Sequence, residues 1–103
     1  MGRKSRDKGA RAELEVVAAL KALGISSEKI LGSGSFRYRG EAHDVSIHND
    51  DGDQSVEVKI RATGFKQIYD YLGDNDLLFL RRDRDRWLVV MDIDTWHKER
   101  QRS

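Results

Sequence analysis

The sequence predicts a mixed α/β domain, a β-sheet flanked by helices in the order α-β-β-β-α-β-β with a short helix at the C-terminal end. An apolar stripe at helical spacing opens the chain, and two runs of strict apolar/polar alternation surround an Asp-Gly turn in its middle. A short helical pattern and two apolar runs fill the remainder. At 103 residues the chain is read as one domain, 1–103. Such a domain holds a core yet buries only about two-thirds of its unfolded surface, so a second copy would help it.

The first helix is expected over residues 7–23, with Asp7 as its N-cap, Gly24 as its stop, and residues 1–7 ahead of it as a basic arm. Val16, Val17, Leu20 and Leu23 form one stripe, and three or four positions back from the valines lies Glu13. A carboxylate pointing inward needs a partner, which is a lysine, backbone amides or a metal. Glu15 falls on another face and is expected in solvent. Lys29 to Leu31 reads as a short strand leading into Gly32-Ser33-Gly34-Ser35 and then Phe36-Arg37-Tyr38-Arg39. Glycine permits close backbone approach to a ligand and serine hydroxyls suit phosphate oxygens. Arginines interleaved with aromatics suit backbone clamping and base stacking.

In His43-Asp44-Val45-Ser46-Ile47-His48, alternation turns Val45 and Ile47 inward and Asp44, Ser46 and His48 to the other face. In Val56-Glu57-Val58-Lys59-Ile60 the apolar residues point inward, leaving Glu57 and Lys59 together on the opposite side, about 6–7 Å apart along the strand. Asp51-Gly52 between the runs signals a hairpin, because glycine readily supplies a positive φ, so the two strands should pair antiparallel. A helix from about Phe65 to Leu72 follows, with Phe65, Ile68, Tyr69 and Leu72 on its apolar face and Gly73 as its stop. Leu77–Leu80 and Trp87–Met91 read as strands joined by Arg81-Arg82-Asp83-Arg84-Asp85-Arg86, and Asp92 or Asp94 caps a last helix containing Trp96. Phe65, Tyr69, Tyr71 and Phe79 offer more bulk than so small a core uses, which makes this region a candidate dimer interface. His43, His48 and His97 lack ligand-like spacing and are read as incidental.

The absence of cysteine excludes disulfides and thiolate zinc sites. No run reaches transmembrane length and the start lacks the apolar segment of a signal peptide, so the expected location is cytoplasmic, or the host cytoplasm for a viral protein. The net charge of +1 is unevenly spread. Residues 1–11 carry five cations (Arg3, Lys4, Arg6, Lys8, Arg11) against Asp7, whereas residues 41–57 carry six anions (Glu41, Asp44, Asp50, Asp51, Asp53, Glu57) and no Lys or Arg. A basic arm beside an acidic pocket suits a polyanion that brings a metal to its phosphates.

Asp44 followed by Glu57-Val58-Lys59 has a specific chemical meaning. Two carboxylates at the end of a strand pair make a hard-oxygen site for hydrated Mg²⁺, with Mn²⁺ as a substitute; such an ion takes one or two carboxylates and keeps its waters. A lysine beside it orients or deprotonates the attacking water and offsets charge on a phosphate, the arrangement of metal-assisted phosphodiester hydrolysis. With 36% of residues charged, this spacing alone recurs by chance, so the rest of the chain has to support it.

Lys8-Gly9-Ala10-Arg11-Ala12-Glu13-Leu14-Glu15, Gly32-Ser33-Gly34-Ser35, Asp44-Val45 and Val56-Glu57-Val58-Lys59, in this order and near these spacings, resemble the archaeal-type Holliday junction resolvases of the PD-(D/E)xK nuclease superfamily. The resemblance covers residues 8–61 by motif, and the later helix and two strands match in type and order. It implies a restriction-endonuclease-like fold with Glu13, Asp44, Glu57 and Lys59 as the catalytic set. Asp44, Glu57 and the Val58 backbone carbonyl would bind the metal, Glu13 would act through a metal water or a second metal, and Lys59 would orient the water. Ser33 or Ser35 would lie near the scissile phosphate, and DNA contacts are expected from Arg3, Lys4, Arg6, Lys8, Arg11, Ser33, Ser35, Arg37 and Arg39. Members of the family act as symmetric dimers, each subunit cutting one strand of a four-way junction recognised by shape. His43 stands where the superfamily name expects a proline, a residue that ligates nothing, and the segment from Lys59 to Phe65 is short.

The expected function is therefore a Mg²⁺-dependent, structure-selective endodeoxyribonuclease of DNA recombination and repair, working as a homodimer on branched DNA. A flap, nicking or restriction-like nuclease of the same fold is the alternative. A non-catalytic DNA-binding module is disfavoured, because a pure binder has little use for acids that repel phosphate.

Overall fold

A helix of 21 residues, α1 (Gly2–Ala22), opens the chain. The computed structural model describes residues 2–30 and 44–102, with side chains described from Lys8 onward. The chain is mixed α/β and forms two compact units, Met1–Ile60 and Arg61–Ser103. α1 starts at Gly2 rather than at Asp7, so Asp7 lies inside the helix rather than at its N-cap position, and the basic arm is a helical extension. Arg3, Lys4 and Arg6 are good helix formers, and nothing between them breaks the turn. The stop is where the sequence predicts it: Gly24, at φ 80°, donates its N–H to the Lys21 carbonyl at 2.9 Å. Ala12, Val17 and Leu20 form the buried stripe of α1, joined by Ile25 after the turn.

The first unit carries a three-stranded antiparallel sheet in the order β1 (Ser27–Lys29), β2 (Val45–Asn49), β3 (Gly52–Val56). β2 is central, facing Lys29 with Val45 on one side and Val56 with the same residue on the other. Val45 is fully buried and Ile47 nearly so, as alternation requires. Ser46 is buried as well, against the alternation, between Glu28 of β1 and Ser55 of β3 in register. In the hairpin, Asn49 pairs with Gly52, which leaves Asp50 and Asp51 as the turn. Neither aspartate has a positive φ, whereas Gly52 sits at 128°. The glycine therefore follows the turn and takes the kink at the head of β3, rather than forming part of an Asp51-Gly52 pair of the type I′ kind.

Two strand boundaries differ from expectation. β1 ends at Lys29 instead of beginning there, and β3 ends at Val56, so Glu57, Val58 and Lys59 lie beyond the strand. At the second, a side chain from the neighbouring strand's start intervenes. Asp44 donates its N–H to the Val56 carbonyl at 2.8 Å, but the next donor, the Val58 N–H, goes to the Asp44 carboxylate at 2.9 Å. A side chain replaces the ladder acceptor there, and regular pairing stops.

The second unit contains α2 (Lys66–Leu72), the antiparallel pair β4 (Leu78–Leu80) and β5 (Leu88–Val90), and α3 (Ile93–Arg102). Gly73 ends α2, donating to the Tyr69 carbonyl, and the Asp92 carboxylate accepts the Thr95 N–H at 2.8 Å as the cap of α3. Element types and order are those the sequence predicts, but the strands form two separate antiparallel sheets rather than one mixed sheet. None of the described residues of this unit is buried. A two-stranded ribbon with two short helices is too small to close a core of its own. Among the described residues no helix is long and apolar enough to cross a membrane.

Candidate active site

Asp44 is held from both neighbouring strands. Its carbonyl accepts the Ile30 N–H at 3.0 Å, its own N–H reaches Val56, and its Oδ2 accepts from Val58. This clamps the start of β2 to the chain that leaves β3, the segment that carries Glu57 and Lys59. Glu57 and Lys59 form an ion pair at 3.1 Å, Nζ to Oε2. Both side chains are about half exposed, so the pair orients them and adds little stability.

Glu13 comes to the same place from α1. Its side chain is 14% exposed, as its position on the apolar stripe predicts, and Lys29 Nζ lies 3.7 Å from its Oε1. Burial raises the Glu13 carboxyl above its ordinary range first, then the Asp44 charge; Lys29 pulls it back, and Glu57 raises it further. Asp44 and Glu57 thus both bear on Glu13, each raising its carboxyl. A lysine is one of the three partners the sequence leaves open for Glu13, and the signal for Lys29 is an inward acid with that lysine at the end of the next element.

Raising a carboxyl in the folded state means that the folded protein holds this proton more tightly than the unfolded chain. The stability so gained is full below the ordinary carboxyl value of 4.5 and is lost as pH rises through the folded value. Glu13→Gln removes that loss and is expected to raise the melting temperature at neutral pH, with the gain disappearing near pH ~4. Thermal unfolding of both proteins across that range checks it, and a gain independent of pH would contradict it.

The donor set suits Mg²⁺ or Mn²⁺: carboxylate and carbonyl oxygens are hard ligands, and a hydrated ion needs only one or two carboxylates. Asp44 and Glu57 are the two that would hold such an ion, while Glu13 is engaged by Lys29. Among the described residues no group of three or more acidic or histidine side chains stands close enough to hold an ion directly.

The proposed DNA contacts are described only in part. Lys8 and Arg11 are exposed on α1. Arg11, two positions before Glu13, lies about 160° from it around the helix axis. The backbones of Arg3, Lys4 and Arg6 are helical, and their side chains lie outside the description. Ser33, Ser35, Arg37, Arg39 and His43 lie outside the described residues.

His48, which lacks ligand-like spacing, has a place in the sheet itself. Its Nε2 lies 3.1 Å from Glu28 of β1 and its Nδ1 3.0 Å from Asp53 of β3, so one imidazole spans the sheet. The hydrogen bond to Asp53 is the main reason its pKa is raised. The signal was hairpin register, which sets His48 opposite Asp53. Stability from this clasp is full below the ordinary value of 6.5 and is lost as pH rises through the folded value. Wild type should therefore lose melting temperature over that interval while His48→Gln does not; parallel curves would rule the clasp out.

Compared by sequence with known protein families and characterised proteins, and by structure with solved folds, the chain matches none.

Proposed function

We propose that the chain is a Mg²⁺-dependent endodeoxyribonuclease of restriction-endonuclease-like fold that cuts four-way DNA junctions. The observation that carries this reading is the meeting of Glu13 with Asp44 and Glu57 in one field, with Lys59 alongside. Acids placed around Glu13 oppose its ionisation, and such clusters concentrate at sites that bind cations or move protons.

In this reading Asp44 and Glu57 hold the cation. The ion, when bound, supplies Lewis acidity toward the phosphate and a more acidic water. Lys59, kept near by Glu57, orients the attacking water, and Glu13 holds an outer water with a carboxyl ready to take its proton. A bond forms from water oxygen to phosphorus and one P–O ester bond breaks, leaving a phosphate on one strand end and a hydroxyl on the other. A homodimer supplies two such sites to the two symmetry-related strands of a junction.

One gel tests this: labelled four-way junction, flap, linear duplex and single strand, each with Mg²⁺ and with EDTA. Cleavage of the junction alone, dependent on Mg²⁺, is the expected result. Preference for the flap moves the assignment to the nicking or flap nucleases, and no cleavage of any substrate rejects it.

A further inference from the structure

The ribbon of the second unit has a face that hydrolysis does not use. Strand alternation and the Phe79↔Val89 register put Phe79, Arg81, Trp87 and Val89 on one side. Phe79 is 56% and Trp87 60% exposed, whereas Leu78, Leu80 and Val90 on the other side are half-buried. Leu88, also on that other side, is exposed, so the aromatic side is the more open of the two without the other being closed. Arg81 lies over the Trp87 ring, 4.9 Å from its centroid. The connection between the strands carries Arg81, Arg82, Arg84 and Arg86 against two aspartates. Asp85 is engaged by Arg82 at 2.6 Å and by the Arg86 backbone N–H at 2.8 Å. Among the described residues the Arg84 and Arg86 guanidinium groups show no ion pair, and Arg84 sits at the turn with φ 61°.

We infer that this face binds single-stranded nucleic acid, with bases stacking on Trp87 and Phe79 and phosphates meeting the turn arginines. A protein-docking face is depleted of charge at its centre. Here a guanidinium covers the central aromatic and a cationic turn closes one end, which matches alternating bases and phosphates. Duplex bases are stacked inside the helix and offer no face to such a platform, so the ligand is an unpaired stretch. Arg84 supports this independently. A long side chain at positive φ is strained where glycine is not, and a cation at that position contributes charge that glycine lacks.

This site goes beyond the nuclease reading and is tested without cleavage, on the full chain in EDTA. Trp96→Phe leaves Trp87 as the sole tryptophan, and its fluorescence is titrated with an oligothymidine of about twelve nucleotides and with a hairpin duplex of equal charge. The oligothymidine should quench Trp87 and bind more tightly than the duplex. Trp87→Ala, followed by fluorescence anisotropy of a labelled oligonucleotide, should weaken binding by ~5- to 150-fold, and Trp87→Phe should restore most of it. Arg84→Gly should melt no lower than wild type yet bind more weakly, with the log–log salt slope smaller by about 0.7. Wild-type affinity in Trp87→Ala, or equal affinity for the duplex, overturns the inference. So does a dimer in light scattering that Phe79→Asp dissociates without altering oligonucleotide binding, since a second copy would then cover the face.

Discussion

Asp44→Asn is expected to lower Mg²⁺-dependent junction cleavage by about 10³-fold, roughly 4 kcal/mol of barrier, while junction binding in EDTA is kept or tightened. The asparagine keeps an oxygen where Asp44 Oδ2 accepts the Val58 N–H, so the clamp between β2 and the chain after β3 survives. What it loses is the charge that would hold the cation in the proposed reaction, and losing a negative charge also eases the approach of phosphate. Asp44→Ala is the poorer variant. It strands the part-buried Val58 N–H, at a cost of about 1–3 kcal/mol, and so mixes lost chemistry with lost structure. Single-turnover cleavage and EDTA binding of Asp44→Asn, measured together, separate the two. Undiminished cleavage would remove Asp44 from the catalytic set, and cleavage and binding lost in parallel would make it structural.

The same clamp shows which features were legible in the sequence. Element types and order follow from local patterns: the α1 stripe, the Val45 and Ile47 alternation, the Gly24 and Gly73 stops and the Asp92 cap are each decided within a few residues. Where β3 ends is not local. Alternation in Val56-Glu57-Val58-Lys59-Ile60 is good strand pattern, yet the strand stops because a side chain fourteen residues earlier intercepts a backbone donor. Partner choice was equally hidden. Alternation says that Phe79 and Val89 belong to strands, but not that those strands pair with each other alone. At the site, Glu13 was placed inward by helical spacing, whereas Lys29 as its partner and Glu28 and Asp53 around His48 depend on which strands adjoin and in what register.

Leu20→Ala is expected to destabilise the first unit by about 2–5 kcal/mol, and Leu14→Ala, in the same helix, by no more than about 0.5 kcal/mol. The chemistry removed is identical and the surroundings differ: Leu20 is 3% exposed and Leu14 57%. A unit of this size holds a net stability of only about 3–9 kcal/mol, so the first substitution takes a large share of it. The loss should extend to the site. Glu13 lies seven positions before Leu20, on the same side of α1, and reaches Lys29 only while that helix lies against β1. Asp44, by contrast, is held within the sheet by Ile30, Val56 and Val58. Denaturant unfolding monitored by circular dichroism at 222 nm compares the two variants, and the pH dependence of stability reports Glu13. If Leu20→Ala loosens α1, the unfolding transition broadens and the dependence assigned to Glu13 disappears with it. A Leu20→Ala protein as stable as Leu14→Ala would mean that α1 does not pack through this stripe, and that Glu13 is not brought to Asp44 by the helix.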